Sequence, residues 1–401
     1  MGHYIRLLTQ QPRFFLFSIS SIFFSAPGQT FLISLFIHPI CQALNISALQ
    51  FAGTYSAATI LASFCLPIIG KRIDRWPLKR SLIMNTLSFS LGIGLFSIST
   101  SPIALGIALF LMRLFGQGVL TITATAATIK QFHTHRGSAL SLTQLGYPLS
   151  EFIFPSVALY LASLWGWRPS FALFSGLILL LYFPLTWQWT FMSSTHSTSH
   201  ATTALPSSST LREVLKDKLF PVYLSLSAIP PVIMTGTFYF QVLIFASKDW
   251  PVTAIALSIG VYALTKSLAT LIIGPIIDTY GVVWPLAILT ACIGLATVLS
   301  GLNGPVYLSI MYYALYGIGI GCSASTMSFL WARLYGHKHI AQIKGAIAIA
   351  RNGGTAITPI TVAYLIYKLN MPLPIIFYVT GGVILCMATL PFILKKIDPR
   401  I

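Results

Sequence analysis

The sequence predicts an all-α membrane protein, with twelve transmembrane helices in two pseudo-symmetric six-helix bundles. Three observations carry that expectation. Hydrophobic residues make up 56% of the 401 residues and charged residues only 8%, where a soluble chain carries about a quarter. The 24 basic and 7 acidic side chains cannot clothe a globule of this length, so most of its exterior needs a non-aqueous solvent. Apolar runs of spanning length also recur along the whole chain, and a polar stretch divides them into two sets of six.

The first set covers 14–40, 48–70, 80–99, 102–125, 138–163 and 168–190. The second covers 218–246, 252–274, 283–301, 305–328, 342–367 and 373–394. The first run starts near Phe14 and is long enough to span, so it reads as a helix and not as a cleaved signal peptide. Position 6 is Arg6, which excludes a myristoylation signal. Between Ser193 and Thr210, twelve of eighteen residues are Ser or Thr, the composition of a flexible linker. Leu211 to Phe220 mixes charged and apolar residues, as an interfacial helix entering the seventh span would. The expected organisation is a bundle over 1–190, a cytoplasmic linker over 191–217 and a second bundle over 218–401. With the N-terminus inside, the cytoplasmic segments hold 18 Lys or Arg and the outer loops only Arg168, Lys248 and Lys368. Both termini are therefore expected to be cytoplasmic. Short loops and compact termini fit the cytoplasmic (inner) membrane of a bacterium.

The net charge of +17 sits in short clusters between apolar runs, the pattern of membrane topology and not of nucleic-acid binding. The cysteines, Cys41, Cys65, Cys292, Cys322 and Cys386, are scattered singly and read as small buried hydrophobes. His133, His135, His337 and His339 lie in equivalent loops without Cys or carboxylate company, so no metal is expected. There is no HExxH, GxxxxGK[ST] or GxSxG, and the sequence is expected to encode neither an enzyme nor a cofactor site.

The two halves echo each other. Gly70 to Asp74 (GKRID) ends helix two, and Gly274 to Asp278 (GPIID) ends helix eight, 204 residues later. Arg136-Gly137 opens helix five, and Lys344-Gly345 opens helix eleven, 208 residues later. Duplicated six-helix units are common among secondary transporters.

A charge in the hydrocarbon core costs at least about 2.5–3.5 kcal/mol and needs a reason. Arg113 (helix four), Glu151 (helix five), Lys266 (helix eight) and Arg351 (helix eleven) are such charges. Arg113 and Glu151 fall at matching depth near the midplane, so an ion pair between them is expected. It serves either as a packing element or as a proton-coupling carboxylate tuned by an arginine. Lys266 and Arg351 also match in depth and have no intramembrane acid left to pair with. They either share the anionic group of a substrate or are structural, Lys266 snorkelling and Arg351 bonding backbone carbonyls at a kink. Gln29, Gln144 and Asn352 share this depth and are candidate cavity residues, with interhelical hydrogen bonding as the alternative.

The loop Gly70-Lys-Arg-Ile-Asp74-Arg75-Trp-Pro-Leu-Lys79-Arg80 resembles the signature loop of the major facilitator superfamily. Pro77 or Trp76 stands where that loop has its second glycine. Arg113-Leu-Phe-Gly116-Gln-Gly118 is similar to the superfamily's helix-four pattern. The resemblance covers the whole chain and implies rocking alternating access about a central cavity. It assigns a gating role to Gly70, Asp74, Arg75, Gly274 and Asp278, the alternative for the basic residues being topology and headgroup binding. A basic residue in helix eight opposite one in helix eleven resembles the organic-anion branch, the oxalate/formate and monocarboxylate porters, with Lys and Arg exchanged. The exporter pattern of helix five is kept at Gly137 and Gly146 but not at Ser150 and Glu151.

The function expected from these readings is secondary transport of a small organic anion coupled to protons, by a monomer in the lipid bilayer. Lys266 and Arg351 would clamp the anion, with Glu151 and Arg113 handling the proton. Two alternatives stand beside it: a proton-driven exporter of an amphipathic metabolite, drug or siderophore, and a non-cycling transporter-like receptor.

Overall fold

The computed structural model describes residues 2–132, 135–187, 209–251, 253–367 and 369–401. His133, Lys368, and most of the Ser/Thr-rich linker with His196 and His200 lie outside the described residues. Among the described residues there is no β-strand.

Twelve long helical segments follow one another, numbered here α1 to α12. They are α1 (Pro12–Leu44), α2 (Ala48–Arg75), α3 (Leu78–Ile98), α4 (Pro102–Gln131), α5 (Arg136–Trp165) and α6 (Trp167–Trp187). Then come α7 (Phe220–Ala246), α8 (Thr253–Tyr280), α9 (Val283–Gly301), α10 (Tyr307–Tyr335), α11 (Ile340–Tyr367) and α12 (Leu373–Ile397). Eleven have the length and apolarity to cross a membrane by themselves, and α11, at 28 residues, completes the set. This is a multi-pass integral membrane protein.

Local sequence explains the helix ends. Ser47 opens α2 with a capping box: its Oγ accepts from the Gln50 backbone N–H at 3.1 Å, and Gln50 Oε1 accepts from the Ser47 N–H at 2.8 Å. Prolines at the first turn start α4 and α7. Of the departures from a plain helix, two bear on the site residues. In α1, Ala26-Pro27-Gly28 tightens into a 3-10 turn and Gln29 is extended (φ −90°, ψ 150°). The first span is therefore broken, where the apolar run alone reads as continuous. In α4, Met112–Leu120 widens to π-helical geometry around Arg113, a distortion associated with functional positions.

The chain gathers into two compact units. One comprises Met1–Gln131, Leu149–Val214 and Tyr335–Ile349; the other comprises Phe132–Pro148, Leu215–Leu334 and Ala350–Ile401. In the first unit, α3 and α6 are joined by Ser90 and Ser175, whose hydroxyls lie 2.8 Å apart and each bond the other's carbonyl. In the second unit, α9 and α12 meet backbone to backbone. A Cβ on Gly294 would lie 2.8 Å from the Leu385 nitrogen, and one on Gly381 would lie 2.8 Å from that of Val298. Small residues permit this approach where no hydrophobic force separates helix from lipid. Ser90 and Gly294 are themselves 204 residues apart, the offset of the loop motifs.

Candidate functional site

In the second unit, Lys266 is buried, at 6% exposure, midway along α8. Its backbone is fixed by α10. A Cβ on Gly317 would lie 2.5 Å from the Tyr262 carbonyl oxygen, and one on Gly321 would lie 2.5 Å from that of Lys266. The Gly317-x-x-x-Gly321 spacing thus seats α10 against the turn of α8 that carries the lysine. The ammonium lies 5.4 Å from the ring centre of Tyr262 and 5.7 Å from that of Tyr147. Electron-rich ring faces stabilise a desolvated cation. Tyr147, on α5, also interacts electrostatically with Arg351 of α11. The Nε of Arg351 is buried with no hydrogen-bond partner among the described residues, and so is Gln144 Oε1, one turn before Tyr147 on α5. A buried unsatisfied donor costs about 1–3 kcal/mol, which an anionic ligand would recover. Asn352 is half-buried beside Arg351.

Tyr147 was not among the residues picked from the sequence. One signal could have found it: Tyr147 and Arg351 are related by the 204-residue offset of the repeat. The offset pairs a neutral aromatic with a charged residue, so residue identity does not reveal it.

Arg113 occupies a separate site in the first unit. It is 3% exposed. Its Nε donates to Thr59 Oγ1 at 3.1 Å, and its Nη1 donates to the Gly28 carbonyl at 3.1 Å and to Thr30 Oγ1 at 3.2 Å. The Tyr55 ring stacks 4.9 Å from the guanidinium, and the Tyr55 hydroxyl donates to Thr30. The expected ion pair with Glu151 does not form: Arg113 spends its donors on neutral oxygens. The break in α1 frees the Gly28 carbonyl, and the guanidinium takes it. Gln29, 7% exposed in the same break, donates from Nε2 to Ser25 Oγ at 3.1 Å. Glu151 is half-buried on α5.

The two signature aspartates cap helix starts. The Asp74 side chain, 3% exposed, accepts from the Ala341 and Gln342 backbone N–H groups at 3.3 and 3.0 Å and from Lys130 Nζ at 2.8 Å. Asp278 accepts from the Gly137 and Ser138 N–H groups at 2.7 and 3.0 Å and from Ser138 Oγ at 2.6 Å. A carboxylate at a helix N-terminus satisfies orphan donors and opposes the helix dipole. The glycines of the motif allow the approach. A Cβ on Gly70 would stand 2.5 Å from the Ala341 oxygen, and a Cβ on Gly137 would stand 2.7 Å from the Gly274 oxygen. Arg75 is exposed and takes no part in these bonds. The same 204 residues separate Asp74 from Asp278, Gly137 from Ala341 and Ser138 from Gln342. The 208-residue match of Arg136-Gly137 with Lys344-Gly345 is thus one turn out of register. Lys344 instead donates to Thr125 Oγ1 at 2.8 Å.

Among the described residues, no three His, Cys, Asp or Glu side chains gather closely enough to hold a metal. No curated protein matches the sequence. Solved structures do share the fold at 15% identity or less. The human organic anion transporter MFSD10 (TETRAN) superposes with a TM-score of 0.72 at 14% identity, over 96% of this chain and 99% of that one. A bacterial homologue of the iron transporter ferroportin, in its outward-facing state, gives 0.73 at 15% identity over 95% and 98%. The proton:xylose symporter XylE gives 0.68 at 13% identity over 96% and 95%. The profile of the Major Facilitator Superfamily itself matches residues 19–247 and 232–400. With its twelve helices, its repeat and its twin aspartate-capped helix starts, the chain belongs to the major facilitator superfamily, whose members are membrane transporters and not enzymes.

Proposed function

We propose that this transporter carries a small organic anion, coupled to protons, by alternating access of its two six-helix halves. The observation that carries the reading is a pair of cations in one unit: Lys266, buried against the Tyr147 and Tyr262 rings, and Arg351, whose Nε is buried with no hydrogen-bond partner among the described residues. Two cations at one depth repel unless an anion joins them. A carboxylate between them would accept a bidentate pair from Arg351 and a point contact from Lys266. Gln144 Oε1 and Asn352 offer neutral polar contacts to the rest of a small solute. The human organic anion transporter among the structural neighbours is consistent with this substrate class.

Glu151 is the carboxylate to carry the coupled proton, being the acid inside the spans. Arg113 supports the half that holds Glu151 by fastening the break in α1. The Asp74 and Asp278 caps, with Gly70, Arg75 and Gly274 beside them, form and break as gates during the cycle. The basic clusters set the orientation, with both termini and the linker in the cytoplasm of a bacterial cell.

The test is uptake into proteoliposomes under an inward proton gradient, using labelled mono- and dicarboxylates, amino acids and organic cations. Wild type is compared with Lys266→Ala and Arg351→Gln. The expected outcome is saturable carboxylate uptake that falls more than about tenfold in each variant, the loss of one charge-assisted hydrogen bond. Transport of only neutral or cationic solutes, or normal uptake by both variants, would overturn the anion clamp.

A further inference from the structure

Beside the cations of the second unit stands a wall of rings. Tyr262 lies one turn before Lys266 on α8, with its ring centre 5.4 Å from the ammonium. The Phe238 ring of α7 meets Tyr262 edge to face, with centres 5.5 Å apart and planes at 85°. Phe238 leans in turn on Tyr313 of α10, at 6.1 Å and 55°. Tyr313 is fully buried, and its hydroxyl donates to Gln241 Oε1 at 3.1 Å. The rings behind Phe238 are therefore held in place, while Phe238 itself is half-buried and keeps ring surface accessible. Tyr147, 5.7 Å from the same ammonium on its α5 side, is half-buried too.

Chemistry narrows what such a wall can hold. Away from the helix ends, Lys266 and Arg351 are the only cations in α7 to α12. Once both serve one carboxylate, none remains for a second, since Lys248 beyond α7 spends its ammonium on the Ser300 and Leu302 carbonyls at 2.5 and 2.8 Å. The rest of the solute then meets rings. One helical turn is about 5.4 Å, close to the reach from a carboxylate to the middle of a ring attached to it. Aromatic rings prefer offset or edge-to-face partners with centres about 4.5–7 Å apart. A planar ring would thus extend the series of Tyr262, Phe238 and Tyr313 by one member, where a saturated group would gain only dispersion.

We propose, resting on the Lys266 and Arg351 clamp, that the transported anion is an aromatic monocarboxylate: its carboxylate sits on the two cations and its ring on Phe238. Phe238 is then the residue that sets specificity, and Tyr262 positions it beside Lys266.

Isothermal titration calorimetry of the purified full chain in detergent tests this with benzoate, cyclohexanecarboxylate and succinate. The first two differ in aromaticity at nearly the same size. Wild type should bind benzoate about two- to tenfold more tightly than cyclohexanecarboxylate, the range of one aromatic pair, and more tightly than succinate. Phe238→Leu should erase the difference between the two rings. Phe238→Tyr should keep it, which a folding defect at this position would not allow. Arg351→Gln should weaken the binding of every carboxylate. Equal affinity of wild type for the two rings, tighter binding of succinate, or an unchanged ratio in Phe238→Leu would overturn the aromatic assignment, and the clamp would stand if Arg351→Gln still weakened binding. Binding of none of the three, or undiminished binding by Arg351→Gln, would overturn the clamp and the aromatic assignment with it.

Discussion

Arg113 answers to oxygens that carry no charge, and this sets what its replacement should do. Lysine keeps the cation but cannot reach Thr59, Gly28 and Thr30 together. Arg113→Lys should therefore destabilise by more than Thr59→Val, which removes a single acceptor at about 1–3 kcal/mol. Melting curves in detergent measure both, and equal shifts would mean that the fork geometry is irrelevant. A second residue-scale prediction concerns Asp398, just beyond α12. It accepts from the Tyr223 hydroxyl at 2.7 Å and from the Arg400 Nε and Nη2 at 2.8 and 2.7 Å. The bonds from Arg400 chiefly hold its carboxyl down at about 2, below the ordinary 3.8. A depressed carboxylate contributes stability above its unfolded pKa and loses it as the pH falls through the folded value. Asp398→Asn should thus melt below wild type at pH 7, and the gap should close between about pH 4 and pH 2. A gap independent of pH would reject the charge argument. At this scale the sequence was half legible. A charge inside an apolar run is conspicuous because it is costly, but the Gly28 carbonyl that receives Arg113 exists as an acceptor only because α1 breaks.

The long apolar runs made the helices readable: eleven of the twelve have the length and apolarity of a membrane span, and the ends lie within seven residues of those of the apolar runs. Their distortions were harder to read. Pro27-Gly28 marks the break in α1, yet an apolar run alone cannot distinguish a kink from an interruption. The widening of α4 has no sequence signal that we identify. Helix crossings depend on glycines whose role shows only once a neighbour is in place. Gly317 and Gly321 press α10 onto the backbone of Lys266, whereas a Cβ on Gly53 or Gly260 would meet nothing within 4 Å. Gly321→Val should therefore push α8 away, raising the KM for the proposed anionic substrate while the protein still inserts. Gly260→Ala should transport normally and gain up to about 1 kcal/mol of helix stability. Uptake kinetics with a surface-expression control distinguish the two, and a normal KM in Gly321→Val would detach the crossing from the site.

Across the whole molecule, the excess of basic residues on one side predicts the orientation. A fluorescent-protein fusion after Ile401 should glow in the cytoplasm, and an alkaline phosphatase fusion there should be inactive. The reverse would invert the topology. The repeat was legible in the two loops that share Gly and Asp. It was misread by one turn at α5 and α11, because the groups conserved there are backbone N–H groups, which every residue type but proline supplies. The corrected register has a genealogical meaning. Asp74 of the first repeat caps the fifth helix of the second, and Asp278 of the second caps the fifth helix of the first. Two identical six-helix chains could satisfy both carboxylates only as a pair, each holding the other by the same contact, which is the arrangement of a two-fold dimer. Severing the gene within the linker should then leave two fragments that fail alone and transport when co-expressed, each supplying the hook its twin was built to hold.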